Sequence, residues 1–312
     1  MILTSLLVSL ALGQEGSTPY VRSRVAAGNA SAQCLYWTVP TITWHNSSVG
    51  NPDTALEAQK QREFEAIRAS FQSWQRLFVS CGNLRFSEGP LVDDRKVGYE
   101  LRGDNNRNLV LFRSTRCSDP DVVPASDACW IDDTCGNDYD CWDSDARTIA
   151  LTLTTYDEKS GIIYDSDIQL NASGFVFTTV DSPQCIPPAT GRDNTCVSTD
   201  LQNTMTHEIG HLIGLDHVPD DPRSVMFPRA PSGETSKRTI DEGSHQFVCE
   251  VYPKGQPSQS CVTPTLDSSG NTTVLGKQSM GCSSSGAGAA WLPSMAGWAL
   301  LAWRRRRGGA RS

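Results

Sequence analysis

The sequence predicts a mixed α/β domain, one twisted sheet packed on helices, and three patterns predict it. A long apolar stripe at helical spacing comes first, short strand-like runs follow, and two capped helix patterns close the domain. Phe64, Ile67, Phe71, Trp74 and Phe78 step by 3, 4, 3 and 4, which places them on one helix face. Thr54 and Glu57 form a capping box ahead of them, so a helix is predicted over 53–78. The strand candidates are 42–44 before that helix and 84–86, 108–112, 147–154, 162–170 and 175–179 after it. A second helix is predicted over 199–212, with Thr199 and Gln202 as its capping pair. A third is predicted over 239–252, opened by Thr239 and Glu242, with Ile240, Phe247, Val248 and Val251 inward. Between Cys117 and Cys141 lie four cysteines, many aspartates and little periodicity, which reads as a disulfide-pinned loop inserted between strands.

The 312 residues suffice for one medium-sized domain or two small ones. With 27 Lys and Arg against 35 Asp and Glu, the net charge of −8 disfavours sequence-independent nucleic-acid binding, which needs surplus cations. A charged fraction of 20% and a mean hydropathy of −0.35 exclude a polytopic membrane protein and a disordered chain. Eleven cysteines indicate an oxidising compartment. Ten of them, Cys34 to Cys261, can form five disulfides, with Cys185 and Cys196 a plausible pair around the loop before the second helix. The eleventh is Cys282.

The two ends read as targeting segments. Residues 1–13 carry an apolar run too short to span a bilayer and suited to an export signal cleaved after Gly13, with 14–33 as a short leader. The folded domain is expected at 34–254 and a flexible, exposed linker at 255–281. In the tail, 282–312, the apolar segment 287–303 would be roughly 25 Å long as a helix, near the ~30 Å of a hydrocarbon core. Four arginines, 304–307, follow it and would stay cytoplasmic. This order of Gly281-Cys282, apolar segment and arginines resembles the MYXO-CTERM sorting tail of myxobacterial surface proteins. The resemblance implies that a sorting protease removes the arginine-bearing segment and that Cys282 is the anchor site. Losing residues 283–312 would remove five arginines and no acid, leaving 22 basic against 35 acidic residues, a net of −13.

The chemistry is concentrated in residues 206–217, THEIGHLIGLDH. His207 and His211 are four apart, so on a helix their imidazoles project from one face and can meet one ion. Glu208 adjoins the first ligand, where it can reach a metal-held water without binding the metal. Gly214 can take the left-handed conformation that ends the helix and turns the chain, and His217 then arrives as third ligand. Three imidazoles and an open fourth position describe a catalytic zinc site. Three of the five histidines in the chain fall in this pattern.

Met226 follows His217 by nine residues, within Ser224-Val225-Met226-Phe227-Pro228. Here the chain resembles the metzincin zinc endopeptidases, in which the extended zinc motif is followed by a tight turn carrying a Met. It is most similar to the matrixin branch, loosely over 34–254. The resemblance implies an α/β (α+β) zincin domain with a twisted, mostly parallel sheet, an active-site helix and a Met-turn. It also implies that Met226 shapes the base of the site and that Phe227 and Pro228 line a substrate pocket. Three features depart from the family. No thiol-bearing latency segment precedes the domain, since the surroundings of Cys34 do not match. Only His45 and His245 remain for a second zinc. Val218 follows the third His where Ser is common.

Asp165 and Asp167 share one strand face with Ile163 and Gln169, which reads either as a solvated polar face or as a calcium site. The expected activity is zinc-dependent peptide-bond hydrolysis by Glu208-assisted attack of zinc-bound water, outside the cell or at its surface, on a protein or peptide substrate. An extended substrate would pair with an exposed strand edge, for which 147–154 is the candidate. The other readings are an inactive zinc-containing surface binding module and an exported zinc amidase acting on cell-wall peptides.

Overall fold

The computed structural model describes residues 20–262 and 275–284, apart from 53, 55, 104 and 105. In chain order the elements are β1 (Val21–Arg22), β2 (Thr41–Asn46), α1 (Glu57–Cys81), β3 (Arg85–Glu88), β4 (Asn108–Arg113), α2 (Cys129–Asp132) and α3 (Cys135–Asp138). Then come β5 (Ala150–Asp157), β6 (Ile163–Asn171), β7 (Phe177–Thr178), β8 (Thr199–Asp200), α4 (Leu201–Leu212), β9 (Leu215–Asp216), α5 (Glu242–Val251) and β10 (Leu275–Met280). Six strands form one sheet in the order β10-β5-β6-β4-β2-β3. The pairs β2–β3, β2–β4 and β4–β6 are parallel, while β5–β6 and β10–β5 are antiparallel. This is the mixed α/β architecture with a mostly parallel sheet that the sequence predicts.

The apolar stripe of α1 is buried along its length. Phe71 stacks on Trp44 of β2 at 4.0 Å between ring centroids, which ties the helix to the sheet. Its other neighbour is α4: the Trp74 indole N–H donates to Thr206 O at 2.9 Å and the Ser70 hydroxyl to Gln202 O at 3.1 Å. Thus the long helix braces the helix that carries the zinc motif. The expected capping box does not form. Thr54 instead donates to the buried Glu63 carboxylate at 2.8 Å, and the helix begins at Glu57 behind Leu56, which makes no side-chain cap. The other two helices start two and three residues after the expected Thr199 and Thr239, at Leu201 and Glu242. Asp200 caps α4 by accepting from Asn203 N–H, and Asp241 caps α5 by accepting from Ser244 N–H. In each case a carboxylate one or two residues past the expected Thr is the stronger acceptor for the first free N–H groups.

All ten cysteines from Cys34 to Cys261 are paired, as Cys34–Cys261, Cys81–Cys249, Cys117–Cys141, Cys129–Cys135 and Cys185–Cys196. Two bridges nest within the inserted loop 117–141, whose small core is formed by those four cysteines and Val123. Cys282 is the free cysteine among the described residues, and it is buried.

Three stretches differ from the sequence reading. The polar face of β6 is not solvated: β6 lies between β5 and β4, and Asp165, Asp167 and Gln169 are all buried. Residues 20–33, expected as a leader, contribute β1, which pairs with β9 just beyond the zinc helix. The stretch expected to be a flexible linker contains β10, which adds to the outer edge of β5 with Met280 opposite Thr152. The segments 1–13 and 287–303 lie outside the described residues. Among the described residues, no helix is long and apolar enough to cross a membrane.

Candidate active site

Helix α4 presents His207 and His211 on one face, with their Nε2 atoms 3.1 Å apart. Two residues past the end of the helix, Gly214 turns the chain with a φ of +97°. A Cβ at that position would lie 2.6 Å from Leu35 O, so both conformation and space call for glycine. The turn returns His217 to the same point, its Nε2 3.2 Å from that of His211.

The outward ring nitrogens of the two helix histidines settle their tautomers. His207 Nδ1 lies 2.6 Å from Val225 O, and His211 Nδ1 lies 2.8 Å from Leu215 O. A carbonyl only accepts, so each Nδ1 carries the proton and each Nε2 turns a lone pair inward. Burial pushes the His211 ring down to about 4, and burial, followed by the neighbouring rings, lowers His207 and His217 as well. Neutral, lone-pair-bearing imidazoles converging in a buried pocket are the donor set that zinc takes, so the residues present fit that ion.

Glu208 is fully buried beside them. Its Oε2 accepts from the Thr152 hydroxyl at 2.8 Å and its Oε1 from the Cys282 backbone N–H at 3.2 Å. Burial pushes its carboxyl up to about 8, and these hydrogen bonds oppose that rise.

Beneath the histidines, the turn 224–228 is braced by Asp241, which accepts from Val225 N–H at 2.8 Å while capping α5. Met226 is buried against Gly210 of α4, where an added Cβ would meet its Sδ at 2.3 Å. Val218 N–H donates to Met226 O at 2.9 Å, locking the turn to the third histidine. Phe227 lies beside the Lys237 ammonium, 5.9 Å from ring centroid to Nζ, and Pro228 O accepts from Ser283 N–H.

Residues 134–253 match the matrixin family model. The match spans the zinc helix, the third histidine and the turn at Met226, and it supports a matrixin-like zinc metalloprotease domain. No curated protein matches the chain. Among solved structures, metalloproteinase-II from Bacteroides fragilis is similar at 13% identity and a TM-score of 0.28. That alignment covers 68% of this chain and 53% of the other, so the chain spans about half the length of that structure.

The matrixin-like site thus unites His207, Glu208, His211, His217 and Met226, all named by the sequence. Asp165 and Asp167 stand apart from it. Asp167 accepts from Gly98 N–H at 2.6 Å and Leu109 N–H at 2.8 Å, and neither aspartate belongs to a cluster of three ligand atoms among the described residues. His45 Nδ1 faces Pro90 O, and His245 lies near Glu242 and Cys81. Sequence reasoning missed Thr152 and Asp241. A threonine in a strand and an aspartate before a helix carry no mark of a partner 56 or 16 residues away. It also placed Cys282 in a tail remote from the site.

Proposed function

We propose that the chain is an exported zinc endopeptidase, held at the cell surface through its C-terminal tail or an anchor on Cys282 for as long as that tail is attached, and secreted once it is not. The carrying observation is the Glu208 carboxylate, buried beside three inward-facing imidazoles and held by Thr152. His207, His211 and His217 would hold the zinc, which when bound supplies Lewis acidity toward a carbonyl and a water. Glu208 takes the proton from the attacking water and delivers it to the leaving amine. Thr152 fixes the carboxylate, and Met226 supports the histidine-bearing helix from below. The substrate is an extended peptide, because the cleft is bordered by backbone donors and acceptors of residues 147–149 and 228–230.

The test is metal content together with hydrolysis of a mixed peptide library by the purified protein. One zinc per chain, hydrolysis abolished by a chelator, and a loss of about 10²–10⁴-fold in Glu208→Ala are expected. A protein that holds its zinc and cleaves no peptide would instead be a binding module. One that cuts only cell-wall peptides would be an amidase.

A further inference from the structure

Beyond β10 the chain does not leave the domain but runs through the cleft. Ile149 N–H donates to Cys282 O at 2.9 Å, and Ser284 N–H to Arg147 O at 3.0 Å, on the sheet side. On the opposite side Ser283 N–H donates to Pro228 O and Ala230 N–H to Ser283 O, both at 3.0 Å. Residues 282–284 are therefore held by backbone hydrogen bonds to both walls, as an extended peptide in a groove would be.

One peptide bond is singled out by what faces its nitrogen. The Cys282 amide N–H points at Glu208 Oε1, 3.2 Å away. The nitrogen of the Gly281–Cys282 bond thus lies on the carboxylate that hands protons to a leaving amine. The Cys282 sulfur lies within 4.8 Å of the ligand atoms of His207 and Glu208, so the residue after the bond is seated inside the site. Gly281 is fitted closely to this path, since a Cβ there would lie 1.9 Å from Ala150 O and 2.8 Å from Leu151 Cα.

We propose that the Gly281–Cys282 bond is a substrate of the chain's own site and is cut intramolecularly. The inference rests on the endopeptidase reading above. Water is the co-reactant. Its oxygen bonds to the Gly281 carbonyl carbon, the carbon–nitrogen bond breaks with its electron pair going to nitrogen, and Glu208 carries a water proton to that nitrogen. The products are a Gly281 carboxylate and a Cys282 amine. All five disulfides lie between Cys34 and Cys261, and Cys282 is in none of them, so no covalent link survives the cut. The catalytic domain is thereby separated from 282–312, with its apolar segment and arginines.

The experiment uses the zinc-loaded full chain, followed by intact-mass measurement. The wild type is expected to yield one product ending at Gly281 and one beginning at Cys282, with a first-order rate constant that does not change on dilution. Glu208→Ala is expected to remain whole. Its Cys282 is the single free thiol, and it is expected to resist a thiol reagent until denaturant is added. Gly281→Ala, whose methyl group collides with the β5 backbone, is expected to self-cleave about tenfold or more slower, to expose the thiol, and still to hydrolyse the peptide library. Cleavage at another bond, a rate that rises with protein concentration, a thiol that reacts freely in uncut Glu208→Ala, or Gly281→Ala cut as fast as wild type would each overturn the proposal. A protein that hydrolyses the library but leaves its own tail intact refutes the self-cleavage alone, whereas failure on both refutes the endopeptidase reading.

Discussion

The Thr152 hydroxyl faces two acceptors of Glu208, the carboxylate Oε2 at 2.8 Å and the backbone O at 3.1 Å, and its single proton goes to the nearer carboxylate. Strand β5 therefore positions the acid–base residue as firmly as the helix that carries it. Thr152→Val keeps the shape and removes the donor. A hydrogen bond to a charged group is worth ~1.5–3 kcal/mol, so kcat is expected to fall about tenfold or more with little change in KM. The pH dependence moves too. Thr152 opposes the upward push that burial exerts on the Glu208 carboxyl, and the base must be ionised to act. Without the hydroxyl, the acid limb of the pH–rate profile is expected at higher pH, and a profile that stays in place would refute this role.

Gly210 and Met226 form the contact under the zinc helix. Alanine is favoured over glycine in a helix interior by ~1 kcal/mol. In Gly210→Ala, however, the new methyl would overlap Met226 Sδ at 2.3 Å and approach Trp74 Cζ2 at 3.4 Å. Overpacking of this kind costs ~1–3 kcal/mol, so overlap outweighs propensity. Thermal unfolding is expected to show a lower Tm, and zinc titration a weaker affinity, because His207 and His211 flank the displaced residue.

Asp165 makes stability depend on pH. Burial, then the neighbouring Asp167 carboxylate, raise its carboxyl well above the ordinary range, so it stays protonated in the folded protein at neutral pH. The unfolded chain releases that proton near pH ~4, and the folded state is therefore progressively disfavoured as pH rises beyond it. Asp165→Asn removes the titration. Denaturant unfolding is expected to find the variant more stable than wild type at pH 8, with the gap closing toward pH 4. Calcium that stabilised the wild type and not the variant would instead favour the calcium reading of this pair.

The Cys185–Cys196 bridge closes a short loop just before α4, beside the backbone pair formed by Cys185 N–H and Val197 O at 2.9 Å. Replacing both cysteines by serine is expected to cost about 3 kcal/mol through the loop entropy returned to the unfolded chain. For a domain of this size that corresponds to a Tm lower by roughly 6–12 °C, readable by calorimetry. Zinc stoichiometry is expected to remain unchanged, since the bridge touches no ligand.

What the sequence by itself determined is local. The four-residue spacing of His207 and His211, the glycine that turns the chain and the third histidine beyond it are fixed by helix geometry and backbone sterics, and eleven consecutive residues carry them. The stripe of α1 and the close pairing of Cys185 with Cys196 are legible for the same reason. The order of strands in the sheet decided the rest. Only the central position of β6 buries Asp165 and Asp167, which by alternation alone look solvated. Only the neighbouring position of β5 brings Thr152 to Glu208. The segment read as a flexible linker pairs with the free edge of β5, and that pairing carries Gly281 and Cys282 back to a helix some seventy residues earlier. Hydrogen bonds between strands distant in sequence leave no periodic trace in either, so the meeting of Glu208 with the Cys282 amide belongs to the tertiary structure alone.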